Sequence, residues 1–97
     1  MLVVEDDGRI VGALVLAIVE NITRKGTPYA IIENVVVDED ARGQRHGEAL
    51  IGQAVEEARQ AGCYKVSLTS NKRRSEAHRF YERLGFVQTH EAFRIDL

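Results

Sequence analysis

The sequence predicts an α/β protein whose sheet is mixed, mostly antiparallel, and contains one parallel strand–helix–strand unit. The turn Asp6-Asp7-Gly8 between two apolar runs is typical of an antiparallel hairpin. After Val37 the apolar period changes from strand-like to helical, and a further short strand follows the helix. This order fits a right-handed parallel crossover. The 97 residues suffice for one core, so we expect a single domain over 1–97.

Short apolar runs bounded by turn residues define the expected strands. In order they are Leu2–Glu5, Arg9–Glu20, Tyr29–Val37, Tyr64–Thr69, Phe86–Gln88 and Ala92–Asp96. The third strand is apolar at successive positions, which predicts burial on both of its faces. On that alternation Glu33 shares a face with Val35 and Val37.

Two segments show helical periodicity. The first has its apolar positions at i, i+3, i+4, i+7, i+8 and i+11, namely Gly47, Leu50, Ile51, Ala54, Val55 and Ala58. The second is marked by Ala77, Phe80, Tyr81 and Leu84. Gly62 and Gly85 follow these segments and predict where the two helices end.

Composition excludes several classes of protein. The net charge of −2 gives no general attraction for nucleic acid or an anionic membrane, and we expect neither partner. No uncharged apolar run reaches about 18 residues, the length that a membrane span needs. One cysteine excludes an internal disulfide, and the three histidines show no metal-site spacing, so we expect no metal. A cytoplasmic protein is the simplest interpretation.

The strongest chemical feature is the segment that leads from the third strand into the first helix, Arg42-Gly43-Gln44-Arg45-His46-Gly47-Glu48-Ala49. A helix N-terminus offers backbone N–H groups and a positive dipole end to an anion. The glycines allow close approach of the backbone, and the arginines add charge suited to phosphate. From the residues alone, two interpretations stay open: a diphosphate cradle, and an ordinary turn with solvated arginines.

Two motifs resemble those of the GNAT superfamily of N-acetyltransferases. Motif A, with its signature Gln/Arg-x-x-Gly-x-Gly/Ala, is matched by Gln44, Gly47 and Ala49. The segment from Ala77 to Phe86, with its Phe-Tyr-x-x-x-Gly-Phe ending, resembles motif B. The family often has glycine where Arg45 stands. The resemblance begins near Leu2, so the usual first strand and two helices are expected to be lacking.

The resemblance implies acetyl-coenzyme A (acetyl-CoA) as co-substrate and acetyl transfer to a primary amine of a small molecule. It places the donor against the third strand, the loop and helix that follow, and motif B. The implied contacts are Val35, Val36, Val37, Arg42, Gly43, Gln44, Arg45, His46, Gly47, Glu48, Ala49, Asn71 and Tyr81. Tyr81 is the implied general acid, since a phenol with a reference pKa of about 10 is protonated at neutral pH. Glu33 is the candidate base or ammonium-binding group.

A weaker similarity points to the glucosamine-6-phosphate N-acetyltransferase branch. It is carried by Ile32–Val37 and Gly62–Leu68, although the branch has a Glu-Asp pair where Glu33-Asn34 stands. The alternatives are a CoA-binding module without turnover, a protein or peptide N-acetyltransferase, and an interaction domain that binds other anions. Lack of the covering helices would expose apolar surface, so we expect a homodimer.

Overall fold

The computed structural model describes residues 1–6, 8–20, 26–38, 45–69, 75–90 and 92–97. Its elements, in chain order, are β1 (Leu2–Asp6), β2 (Arg9–Val19), β3 (Tyr29–Val37), α1 (His46–Gln60), β4 (Val66–Leu68) and α2 (Ser75–Arg83). None of the described helices is long and apolar enough to cross a membrane.

The four strands form one sheet in the order β1-β2-β3-β4. The β1–β2 and β2–β3 pairs are antiparallel, and β3–β4 is parallel across the α1 connection. The first hairpin closes where Asp6 pairs with Arg9, and Gly8 has the positive φ of 78° that such turns require. The predicted mixed sheet and its parallel unit are therefore confirmed.

The hydrophobic core lies between the sheet and the two helices, on what we call the helix face. Its fully buried cluster is Leu14, Ile32, Leu50, Ile51 and Ala54. From α2 and its end, Phe80, Tyr81 and Leu84 pack against this cluster. The first helix thus buries the apolar side that its periodicity predicted.

Both helices end as predicted, at a glycine in the left-handed region. Gly62 has φ 83° and Gly85 has φ 98°. After α1, Cys63 N–H donates to Ala58 C=O; after α2, Phe86 N–H donates to Tyr81 C=O. These bonds satisfy carbonyls that a helix end leaves without partners. The bond after α2 ties Phe86 to the backbone of Tyr81.

The opposite side of the sheet, which we call the open face, carries apolar side chains that stay accessible to solvent. Its members, judged from exposure and cross-strand pairing, are Val3, Ile10, Ala13, Val15, Ala17, Ile31, Glu33 and Val36. Val36 is 62% exposed and Ile10 is 56% exposed. The prediction that β3 is buried on both faces is therefore wrong, because in the described part of the chain both helices pack on the helix face.

The two predicted C-terminal strands, Phe86–Gln88 and Ala92–Asp96, are also not observed. Residues 86–90 and 92–97 are irregular, and Phe93 is 94% exposed. An alternating apolar pattern forms a strand only where a neighbouring strand supplies hydrogen bonds. In the described residues β4 is shorter than expected and pairs with β3 alone.

Candidate functional site

Three elements meet at the N-terminus of α1, and Gly47 is the point where they touch. A methyl group added at Gly47 would lie 3.4 Å from Phe80 Cζ of α2 and 3.7 Å from Val37 Cγ2 of β3. Both distances are those of ordinary van der Waals contact, so the start of the helix packs beside the end of the strand and beside α2. The two motifs identified in the sequence are thereby brought together in space.

The N-terminus of α1 has the features of an anion site. Arg45 is the N-cap residue, and its side chain makes no capping hydrogen bond. The first helical bond runs from Ala49 N–H to Arg45 C=O, so the amides of Gly47 and Glu48 precede it and point out of the helix end. Together with the helix dipole, these amides favour a bound anion.

Arg45 has a φ of 63°, in the left-handed region that glycine adopts without strain. A non-glycine residue in this conformation is destabilised by about 1–2 kcal/mol. The backbone thus gives the physical reason for the glycine that the family often carries here. In this chain the position instead supplies an exposed guanidinium at the end of the helix.

The ladder between the two parallel strands ends at Ile32. The β3–β4 register covers Ala30↔Val66, Ile31↔Ser67 and Ile32↔Leu68, whereas β3 runs on to Val37. In the described residues β4 therefore does not accompany the second half of β3. This opening, which we call the strand gap, lies at the same end of the sheet as the N-terminus of α1.

A bulge in β3 lies beside the strand gap. Between the pairs Val15↔Glu33 and Ala13↔Val36, β3 contains one residue more than β2. Asn34 has a φ of 56°, a conformation that asparagine tolerates better than most residues. A bulge leaves one residue outside the regular ladder, and this one directs backbone groups differently from a straight strand.

The bulge overturns one expectation about the candidate base. Val35 packs against the core on the helix face, and Val37 contacts Gly47 there. Glu33 pairs with Val15 across the open face and is exposed. Glu33 therefore does not share a face with Val35 and Val37, because the extra residue reverses the alternation.

Tyr81, the candidate acid, lies on the helix face. It is half-buried, and its ring makes edge-on contacts with Phe80 at 5.3 Å and Phe86 at 6.0 Å between centroids. These contacts fix the ring beside the core residues that flank β3. Tyr81 and Glu33 thus lie on opposite faces of the sheet, on either side of the strand gap.

Two open grooves run beside α1. One, of ≈540 Å³, reaches the helix N-terminus at Arg45 and Glu48 and continues to Leu84 and Phe86. The other, of ≈350 Å³, lies at the C-terminal end of the helix, where Cys63 and Lys65 line it. Of the two, only the first contains residues that the sequence assigned to the donor site.

Four predicted contacts, Arg42, Gly43, Gln44 and Asn71, lie outside the described residues, and their roles stay predictions. Among the residues that the structure describes, no three acidic, histidine or cysteine side chains are grouped to hold a metal ion.

Two features of this end of the molecule were missed from sequence. One is the bulge, whose only signal is the polar Asn34 within an apolar strand. The other is an ion pair between Arg9 at the start of β2 and Asp38 after β3, with Nη2 and Oδ2 2.7 Å apart. Residues so distant along the chain leave no local signal.

Comparison with known proteins agrees with this geometry. The model of the acetyltransferase (GNAT) family matches residues 1–86. The chain belongs to the GNAT family. It is 44% identical to glucosamine 6-phosphate N-acetyltransferase of Trypanosoma brucei brucei over 90 residues, 93% of this chain and 59% of that protein. It is 47% identical to aminoalkylphosphonate N-acetyltransferase of Salmonella typhimurium over 62 residues, 64% of this chain and 40% of the relative.

Solved structures of the GNAT family share the fold. A putative acetyltransferase from Agrobacterium tumefaciens superimposes with a TM-score of 0.93 at 42% identity, covering 98% of this chain and 66% of that one. The Trypanosoma brucei acetyltransferase gives a TM-score of 0.85 at 44% identity, covering 93% and 61% of the two chains. The chain spans about three fifths of the length of the first curated relative.

Proposed function

We propose that this GNAT chain transfers an acetyl group from acetyl-CoA to the primary amine of a small molecule. The observation that carries the proposal is the strand gap beside the N-terminus of α1, where the N-cap residue Arg45 makes no side-chain capping hydrogen bond. An anion site next to an accessible strand backbone suits a ligand that has a diphosphate at one end and amides along its arm.

The groups at this end of the molecule have the chemistry that binding of coenzyme A requires. The amides of Gly47 and Glu48, the Arg45 guanidinium, and the motif residues Arg42 to Gln44 would hold the diphosphate. The backbone of Val35–Val37 would bond the pantetheine amides as a neighbouring strand does, with Asn71 as a further contact. One N–H beside the bulge would polarise the thioester carbonyl. When bound, acetyl-CoA supplies the activated acetyl group.

Tyr81 and Glu33 would act from opposite faces of the sheet. The amine nitrogen attacks the thioester carbon, the C–N bond forms and the C–S bond breaks. The Tyr81 phenol gives its proton to the departing sulfur, because a neutral thiol is the better leaving group. Glu33 takes the proton lost by the amine, through a water, or binds the ammonium before it is deprotonated. Placement across the strand gap separates the proton donor from the acceptor.

The acceptor is proposed to be a small amine that also carries phosphate or phosphonate. Two relatives support this: one is named for glucosamine 6-phosphate and the other for aminoalkylphosphonates. Their named substrates share a primary amine and a dianionic phosphorus group on a small molecule. The similarity of Ile32–Val37 and Gly62–Leu68 to the glucosamine-6-phosphate branch points the same way.

An amine panel tests the function. Acetyl-CoA consumption is followed with glucosamine 6-phosphate and 2-aminoethylphosphonate, and with glucosamine, ethylamine and a peptide amine as controls. We expect kcat/KM to favour the phosphorus-containing amines by roughly tenfold or more, the worth of one charge-assisted hydrogen bond. Preference for the peptide would indicate a protein acetyltransferase. CoA binding without transfer to any amine would indicate a module that holds the donor alone.

We also propose that the chain forms a homodimer through the part of the open face that carries Val3, Ile10 and Val36, which leaves Glu33 to the acceptor. A sheet face with Ile10, Val36 and Val3 each about half exposed would be covered by a second copy, since large apolar patches commonly mark interfaces. Light scattering of the parent chain should give twice the mass of the monomer. Ile10→Lys should yield monomers, whereas Gln53→Lys, on the exposed side of α1, should not. A monomeric parent at micromolar concentration contradicts the proposal.

A further inference from the structure

The Arg9–Asp38 ion pair joins two elements at the end of the sheet where the donor is proposed to bind. Arg9 begins β2 and Asp38 follows β3 directly. Their side chains are 2.7 Å apart, and Asp38 N–H donates to Val11 C=O at 2.7 Å. Both the side chain and the backbone of Asp38 are thereby tied to β2.

Asp38 lies at the same end of the sheet as the proposed diphosphate site. The preceding residue, Val37, lies 3.7 Å from the position of a methyl group on Gly47, in the first turn of α1. The carboxylate of Asp38 therefore stands at the same end of the sheet as the helix amides. A negative charge at this place would repel a diphosphate, and the repulsion acts over a Debye length of about 10 Å at 0.1 M salt.

We propose that Arg9 is a positioning and charge-compensating residue for donor binding. Its guanidinium neutralises Asp38 beside the anion site and holds the carboxylate toward β2. The inference rests on the proposed function, since it presumes that coenzyme A binds at the N-terminus of α1. Neither residue is among the donor contacts that the resemblance implies, and neither needs to touch the ligand.

If Arg9 compensates the charge of Asp38, the two single variants should change CoA affinity in different directions. A purely structural tie between the two residues does not predict this difference. Arg9→Gln leaves an uncompensated carboxylate and should weaken CoA binding by about two- to five-fold, the range of an exposed ion pair. Asp38→Asn leaves a guanidinium near the diphosphate, so affinity should equal or exceed that of the parent. The double variant should return to within about two-fold of the parent. If the ion pair served only to hold the chain where it leaves β3, both single variants would weaken CoA binding.

The experiment is calorimetric titration of CoA into the parent chain and the three variants, at low salt and at about 1 M salt, where the screening length falls to about 3 Å. Circular dichroism melts establish that each variant is folded. The Arg9→Gln defect should shrink at high salt.

Equal affinity of Arg9→Gln and the parent would overturn the inference alone. So would an Asp38→Asn defect as large as that of Arg9→Gln with no recovery in the double variant. Failure of the parent to bind CoA at millimolar concentration would overturn the proposed function, and this inference with it.

Discussion

The two faces of the sheet differ in what their apolar residues accomplish. On the helix face, Leu14 and Ile32 are fully buried against α1 and give the domain its core. On the open face, Ile10 and Val36 are equally apolar but remain about half exposed. An apolar pattern along a chain segment therefore predicts a strand of a sheet. It does not show whether another element packs on that face of the strand. The same division separates Tyr81 from Glu33.

The largest expected difference between the faces is in stability. Leu14→Ala removes a side chain with no exposed surface and should lower the free energy of unfolding by about 2–5 kcal/mol. Ile10→Ala, on the same strand but 56% exposed, should cost about 1 kcal/mol or less in the monomer. Urea denaturation of both variants makes the comparison, at a protein concentration low enough for the chain to be monomeric. Similar losses would mean that the open face is covered by packing that the described residues do not show.

The next effect separates the faces by chemistry. Tyr81→Phe keeps the ring that packs on Phe80 and Phe86, and should lower kcat at saturating acetyl-CoA about 100-fold, the lower end for a lost general acid. Tyr64→Phe, two residues before β4 and away from the strand gap, is the matched control and should leave kcat unchanged. An unaltered kcat in Tyr81→Phe would remove the acid role from this residue.

A pair of glycines tests how closely the sheet packs. A methyl group on Gly12 of β2 would lie 2.9 Å from Val4 Cγ1 and 3.2 Å from Val36 C=O, so Gly12→Ala should cost about 1–3 kcal/mol. On the exposed side of α1, Gly52 has open space, and Gly52→Ala should stabilise by about 0.5–1 kcal/mol. Thermal melts give both values. The same sign in both variants would contradict the close packing at Gly12.

The smallest expected effect concerns the strained cap. Arg45→Gly removes a side chain from a left-handed position and should raise the free energy of unfolding by up to about 1 kcal/mol. The same change removes a cation from the proposed diphosphate site, so CoA affinity should fall while stability rises. Melting and titration of one variant measure both. A loss of stability would show that the arginine side chain makes contacts worth more than the strain.

Features that depend on a few adjacent residues could be predicted from the local sequence pattern. The hairpin at Gly8, the buried side of α1 and the ends at Gly62 and Gly85 each depend on a few adjacent residues. Features that depend on a distant partner were not predicted from the residues alone.

The failures share a physical cause. The alternation in Ala92–Asp96 is a strand pattern with no ladder beside it in the described residues. The prediction of the face on which Glu33 lies was wrong because β3 has one extra residue at the bulge beside Asn34, which reverses the alternation of side chains between the two faces. The apolar periodicity of a sequence does not reveal a single extra residue. The Arg9–Asp38 pair joins positions that only the folded sheet brings together.

The proposed donor site is tested most directly by a CoA titration followed by amide NMR on the parent chain. Binding should shift the backbone amides of Val35–Val37 and Gly47–Ala49, and leave those of Tyr29 and Ala30 at the far end of β3 unchanged. Shifts confined to Cys63–Lys65 at the C-terminal end of α1, or the absence of any shift at millimolar CoA, would contradict the proposed donor site.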